Sequence, residues 1–567
     1  MQKGKGSKKD FFLKRWFLRL FGRKKEELSF MEEEALQSPF RMIVSNFWSN
    51  HLSRFGLIVF ILIFLLVMIG PHFVPIDLGF QDNTQVNVAP GMDMMRPPKE
   101  LRENLKLIEP GNTFAVGLDN DGKVYIWGYT KVTDVVDLAD IPEEVQNAKI
   151  DTLAVGSDHV VAIDEDGMLY TWGNTRLQQD RYPNEFKSAM RKGEDINIKS
   201  ISAGTQFTVA VTDDGKLHSW GNSNLNDIKL KRDYKDLKYQ KVSANINNFI
   251  ALTEDGQVIY PARKKNPLAN IPEELSSGVV DIASTAFTNA ALKDDGKLVV
   301  WGNVTRGEGA VPEHEGKIIK IYGGRSHYTA LTDQNELLSW GDNHYKQTNA
   351  PELDEDEHVE DIFVGYYQNY ALTDDGDLHT WGLKGHLLGT DEYGRDILTR
   401  IINGGQITMT VGAVSVIISL VIGVVLGGLA GYFGGVVDMV VMRIAEVVGG
   451  LPFLPFALIL SAIIGTRISV EQRMYLIMVV LGVLTWPGLA RLVRAQIFAQ
   501  REMEFVTAAK AMGLREVAIV FKHIIPNVIS VILVSATLSF ATSMLTESTL
   551  SYLGFGIAPP TPTWGNM

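Results

Sequence analysis

Between Arg400 and Asp438 the chain carries no charged side chain. A run of that length constrains the fold more than any other feature. A bilayer core takes about 20 apolar residues as a helix, and it offers backbone groups no water to bond. Four further runs read the same way: 55–76, 447–466, 474–490 and 524–546, with 474–490 the shortest. Five such runs point to membrane-spanning helices rather than to buried helices of a large soluble protein. The overall hydrophobic content of 46% conceals this, because the long segment between the first two runs is polar.

Charge sets the expected orientation. Residues 1–54 hold 12 Lys+Arg against 6 Asp+Glu, which predicts a cytoplasmic N-terminus. The first run begins too far into the chain for a cleaved signal peptide. Ahead of it, FFLKRWFLRLFG (11–22) mixes large apolar residues with Lys14, Arg15 and Arg19. It reads as a helix on the membrane surface or as a basic tail without fixed structure. Alternation then places the segment after the first span outside, the loop 431–443 inside, 467–473 outside and 491–523 inside. The last of these carries Arg491, Arg494, Arg501, Lys510, Arg515 and Lys522, as an inner loop should. Gly423, Gly427 and Gly431 recur every four residues, which lets helices approach closely. Pro452, Pro455 and Pro487 suit kinks beside cavities and ordinary packing alike.

Residues 101–382 contain 28 Lys+Arg and 46 Asp+Glu, a net of −18, against −12 for the whole chain. That acidity excludes a nucleic-acid surface there. The chain has no cysteine, so disulfides and cysteine-based metal sites or nucleophiles are excluded.

The same segment is repetitive. LDNDGKVYIWG (118–128), IDEDGMLYTWG (163–173), VTDDGKLHSWG (211–221), LTEDGQVIYPA (252–262), LKDDGKLVVWG (292–302), LTDQNELLSWG (331–341) and LTDDGDLHTWG (372–382) share one pattern. Residues on either side of each turn alternate as strands do, and Asp-Gly supplies the positive φ of a tight hairpin. The sixth unit has Asn335 at the glycine position, and the fourth has Pro261 in place of Trp. A hairpin cannot bury its own apolar face, so units at a period near 40 residues suggest a β-propeller. These residues, over 107–382, resemble the repeats of the regulator of chromosome condensation family, which implies seven blades. Trp127, Trp172, Trp220, Trp301, Trp340 and Trp381 are then blade packing. His159 and His327, in VGSDHVVAI and GGRSHYTAL, read as structural rather than as ligands. Chromatin binding and nucleotide exchange do not transfer to an acidic domain expected outside the cell. A binding or docking module remains, with no residues that name its ligand.

The remainder carries a second resemblance. HLLGTDEYGRDILTR (386–400), GYFGGVVDMVVMRIAEV (431–447), WPGLARLVRAQ (486–496), EFVTAAKAMGLREVAIVFKHIIPN (504–527) and LTESTLSYLGFGIAPPTPTWGNM (545–567) follow in order. They are similar to the C-type membrane subunit of oligopeptide and dipeptide ABC importers, and residues 38–75 resemble that family's first span. The resemblance implies an ATPase-coupling loop over 500–526, built as two short helices that dock on a separate ATPase. Its residues here are Glu504, Thr507, Ala508, Ala509, Gly513 and Pro526. Gly513 would form the turn, Ala508 and Ala509 would keep the helix slim, and Pro526 would break the helix before the fifth span. Thr507 stands where the family usually has Glu. The family also implies a sixth span after WGNM. The sequence ends at Met567, and a fragment is expected rather than a truncated product.

The expected fold is an α-helical polytopic permease with an all-β seven-bladed propeller inserted in the first extracytoplasmic loop. Its parts are a basic tail (1–54), a first transmembrane helix (55–76), a linker (77–106), the propeller (107–382), a lead-in segment (383–404) and the permease core (405–567). The resemblance implies a second permease subunit as heterodimer partner, two cytoplasmic ABC ATPases and an extracytoplasmic solute-binding protein, in the lipid bilayer of a cell membrane. No GxxxxGK[ST] occurs, so ATP hydrolysis is expected on separate subunits, with no enzymatic reaction, cofactor or metal in this chain. Glu446 and Glu547 are candidates for the translocation path, because ionisable groups near spans are functional candidates. A membrane-anchored receptor or adhesion protein, and an importer of a non-peptide solute such as a metal chelate, are the alternatives.

Overall fold

The computed structural model describes residues 47–222, 228–262, 267–354, 356–452, 455, 456, 458–460, 463 and 469–567. The surface helix expected at 11–22 lies outside them, as does much of the span expected over 447–466. The chain divides into two compact units. One is Phe80–Leu398; the other joins the residues up to Gly79 with Thr399–Met567.

In the Phe80–Leu398 unit, seven three-stranded antiparallel sheets follow one another, here blades one to seven. Blade one is Leu105–Pro110, Phe114–Asp119 and Val124–Gly128; blade seven is Val359–Val364, Gln368–Thr373 and Leu378–Gly382. Within a blade the strands lie in sequence order, with the second in the middle. The turns are as the sequence predicts: Gly122, Gly167, Gly215, Gly256, Gly296 and Gly376 have positive φ, and Asn335 takes φ 64° in blade six. In blade one the turn is further held by Asp119, whose Oδ1 accepts from the N–H groups of Asp121 and Lys123. Blade four is the degenerate one, with an outer strand of only Val258–Ile259 before Pro261.

The first strand of each blade lies beside the first strands of its neighbours, and that of blade seven lies beside that of blade one. The ring is therefore closed around a channel of about 300 Å³ lined by the seven inner strands. Closure uses side chains: Gln368 Nε2 donates to the Gly111 carbonyl at 3.1 Å, and Ser157 and Tyr366 share a hydroxyl hydrogen bond at 2.7 Å. The six blade tryptophans are all buried. Removing one such ring costs a core about 3–5 kcal/mol. His159 and His327 are fully buried and reach the next blade. His159 Nε2 meets Thr208 Oγ1 at 3.1 Å, and His327 Nε2 donates to Asn369 Oδ1 at 2.9 Å.

Residues 80–106, expected within a linker, are built into this unit. Met95 and Leu101 pack with Ile108, Trp127, Tyr370 and Leu372. Tyr370 donates its hydroxyl to the Met95 carbonyl at 2.6 Å. Gly91 forms an antiparallel bridge with His386, so the arriving and departing strands lie side by side. The Phe80 ring stacks on His344 with centroids 3.5 Å apart.

The other unit is helical: α1 His51–Phe73, α2 Ile397–Phe433, α3 Gly435–Gly449, α4 Val470–Gln500, α5 Glu504–Ala511, α6 Glu516–Ile519 and α7 Ile525–Tyr552. Asn50 caps α1 by accepting from Leu52 N–H at 3.0 Å. Ser469 and Gln472 form a capping box at α4, which then runs through Pro487. Among the described residues four helical stretches are long and apolar enough to cross a membrane: α1, α2, Gln472–Gln500 in α4, and Glu516–Tyr552 ending in α7. Many of their apolar side chains are exposed, among them Leu62, Ile417, Val534 and Leu538. Lipid is the solvent that suits such surfaces. The glycine ladder of α2 faces α4. A Cβ at Gly431 would come within 2.7 Å of the Arg494 carbonyl oxygen, and one at Gly423 within 3.0 Å of the Leu489 Cβ. Small residues are thus required there by backbone proximity. Asn403 Nδ2 donates to the Val74 carbonyl at 3.0 Å and ties α2 to the end of α1.

Candidate functional site

The site begins where α4 ends. After Gln500 the chain turns and α5 starts at Glu504, which is exposed in the first helical turn. A carboxylate there complements the helix dipole. The helix ends in a left-handed residue, Gly513, at φ +74°. Gly513 N–H bonds to the Lys510 carbonyl at 3.0 Å and Leu514 N–H to the Ala509 carbonyl at 3.3 Å. This is the glycine-terminated helix end that a Cβ would strain. Nothing lies within 4 Å of where a Gly513 Cβ would point, so space is not the constraint. The short α6 follows.

One face of this helix pair is anchored. Val506, Ala509, Ile519, Val520 and Ile524 are buried with Val493 and Ile497 of α4, Tyr432 of α2 and Val528 of α7. The opposite face is open and partly apolar, with Met512, Leu514 and Val517 exposed. Thr507 and Ala508 are also exposed. Ala509 departs from the expectation that both alanines thin a docking surface. It is 2% exposed, so its small size serves packing within the bundle, and only Ala508 lies on the open face. Pro526 departs as well. The sequence predicts a helix break there, but Pro526 sits in the first turn of α7. The chain reaches it through a π turn over Val520–Ile524. A proline cannot make the usual i−4 hydrogen bond, and the wider turn absorbs that loss without a break.

The two candidate path carboxylates differ sharply. Glu446 is exposed on α3, where Arg443 NH1 donates to its Oε2 at 2.6 Å. Glu547 is fully buried in α7. It accepts from Thr408 Oγ1 of α2 at 2.9 Å and from Ser551 Oγ at 2.7 Å. Thr408 Oγ1 in turn accepts from Trp564 N–H at 3.2 Å, while the Trp564 indole donates to the Ile401 carbonyl at 2.9 Å. Glu547 therefore joins α2, α7 and the segment after α7. Sequence reading identified the residue but not these partners, which lie far away in the chain. It also left unremarked the pair between Asp438 of α3 and Arg494 of α4, a two-pronged carboxylate–guanidinium contact. Among the described residues no group of three or more His, Asp or Glu side chains is arranged to hold a metal ion.

Comparison with known proteins places these elements. Residues 423–567 match the binding-protein-dependent transport system inner membrane component family. Residues 38–90 match the N-terminal TM domain of oligopeptide transport permease C. Residues 150–179, 198–226 and 318–347 match the regulator of chromosome condensation (RCC1) repeat. The chain is 41% identical over 180 residues to the oligopeptide transport system permease protein OppC of Haemophilus influenzae, covering 32% of this chain and 56% of that protein. It is 40% identical over 182 residues to the dipeptide transport system permease protein DppC of Bacillus subtilis, covering 32% and 55%. The chain thus spans a little over half the length of these relatives. Among solved structures it is similar to Prp20p from Saccharomyces cerevisiae, at 17% identity and TM-score 0.37 over 54% of this chain and 88% of that one. In its membrane segments the chain is similar to the OppC and DppC permeases, and between them it carries RCC1 repeats.

Proposed function

We propose that the chain is a permease subunit of a binding-protein-dependent ABC importer of peptides. The observation that carries the reading is the helix pair α5–α6. One face is sunk into α2, α4 and α7, and the other presents Ala508, Met512, Leu514 and Val517 around the left-handed Gly513. A surface built that way transmits force, because its buried side cannot move without moving the long helices beneath it. In this reading the open face docks on a separate cytoplasmic ATPase. Two ATPases serve this subunit and a second permease subunit. ATP-driven closure of the ATPases pushes the loops together and reorients the spans. A solute delivered by an extracytoplasmic binding protein then enters and is released inside. The subunit itself makes and breaks no covalent bond. The N-terminus lies in the cytoplasm and the propeller outside, as a binding or docking module.

Two substitutions test the coupling face. Gly513→Trp replaces the left-handed residue, and Ala508→Trp adds bulk to the open face without touching the packed one. Both should abolish co-purification with the ATPase and peptide uptake in cells carrying the full transporter. Uptake and co-purification unchanged in both variants would discard the transport reading and leave the membrane-anchored receptor.

A further inference from the structure

We infer that the propeller unit carries a binding site for a small organic carboxylate with an apolar body, between blade seven and the segment 92–102. A cavity of about 280 Å³ opens there. That volume lies just below the range of drug-sized pockets, which starts at about 300 Å³, so the ligand is small. Its apolar wall includes Met95, Leu378 and Trp381, and its charged wall includes Arg96, Arg102 and Lys384 against the single acid Asp93. Three cations converging on one cavity stand out in a domain whose net charge is strongly negative. No carboxylate pairs with any of the three among the described residues.

Two buried donors at this place also lack acceptors. Trp172, Trp301 and Trp340 donate their indole N–H to the carbonyls of Leu138, Leu268 and Glu308, at 3.1, 2.9 and 2.9 Å. Each of those carbonyls lies in the connection leading into the same blade. Trp127, Trp220 and Trp381 have no such partner for Nε1; of these three only Trp381, 5% exposed, lines this cavity. Arg102 Nε is likewise buried and unpartnered. A buried donor left unpaired is costly, and its presence on a cavity wall asks for an acceptor supplied by a ligand. The other polar groups are already engaged. Asn369 bonds His327 and the Gln347 carbonyl, Gln368 bonds the Gly111 carbonyl, and Tyr370 bonds the Met95 carbonyl. What remains is three cations and two N–H donors against one carboxylate, Asp93, and one hydroxyl, Thr380, so the balance favours an anion with hydrogen-bond acceptors. The apolar wall requires a hydrocarbon part beside it, which separates this ligand from inorganic phosphate or sulfate.

The test uses the full chain in lipid nanodiscs and titration calorimetry with N-acetyl-L-leucine, compared with its uncharged counterpart N-acetyl-L-leucinamide. The acid should bind, and the amide at least about tenfold more weakly, since a charge-assisted contact is lost. Arg102→Gln combined with Lys384→Gln should weaken the acid by a similar factor. Thr380→Trp, at the exposed rim, should block it without disturbing the core. Lys346→Gln, away from the cavity, should change nothing. Acid and amide binding equally, no binding of the acid, or acid binding untouched in both cavity variants would each overturn the assignment.

Discussion

His327 stands at the start of the middle strand of blade six with no exposed surface. Burial holds its pKa down to about 4, although the hydrogen bond to Asn369 opposes the shift. The unfolded chain then binds a proton that the folded chain refuses between pH 6.5 and about 4. The contribution is fully present above pH 6.5 and is lost as the pH falls through that window. It amounts to at most about 3 kcal/mol. His327→Gln keeps a donor for Asn369 but cannot titrate. Thermal unfolding of the propeller unit in the full chain should drop between pH 7 and pH 5 in the natural protein and drop less in the variant. Equal pH slopes in the two would sink the argument. The sequence marked this residue as structural through its place in the repeat. It could not show that the partner is Asn369, because only blade-to-blade packing brings them together.

Helix α2 and its contact with α4 illustrate the next scale. The four-residue glycine spacing was legible, and the structure turns it into a geometric demand: the α4 backbone at Ala490 and Arg494 occupies the space that side chains on Gly427 and Gly431 would need. Gly427→Leu should destabilise the detergent-solubilised protein by about 1–3 kcal/mol, read as a lowered thermal midpoint. Gly488→Leu, on α4 where nothing lies within 4 Å, is the matched control and should stay near the starting value. If both variants melt alike, α2 and α4 do not meet along this ladder. The α5–α6 pair was equally legible as two short helices around Gly513. Which of its faces is buried was not, because Ala508 and Ala509 are the same residue type and only the packing of Ile519, Val520 and Val493 distinguishes them.

For the whole molecule, the division at Gly79 and Thr399 decides how the propeller can be removed. Excising 107–382 leaves Met95 and Leu101 without the blades that cover them. Excising 80–398 removes the unit with its own flanks, and the tie between Asn403 and Val74 keeps the two cut ends of the helical unit together. Both deletions should still insert in membranes, measured by resistance to alkaline extraction. Only the first should be cut readily by protease in the retained segment 80–106. Loss of insertion in both would mean that the helical unit cannot stand alone.

The apolar spans, the seven Asp-Gly or Asn-centred hairpins and the glycine that ends α5 were legible from local sequence alone. Each of these is set by residues within one turn or one span, where chain geometry and solvent leave little choice. Packing alone decided that residues 80–106 belong to the propeller unit and that Glu547 is tied to Thr408. It also decided that Trp381 ends on a cavity wall with its N–H unpaired. These pairings join residues up to hundreds of positions apart. No local pattern encodes them, because they arise only when the ring closes and the helices pack.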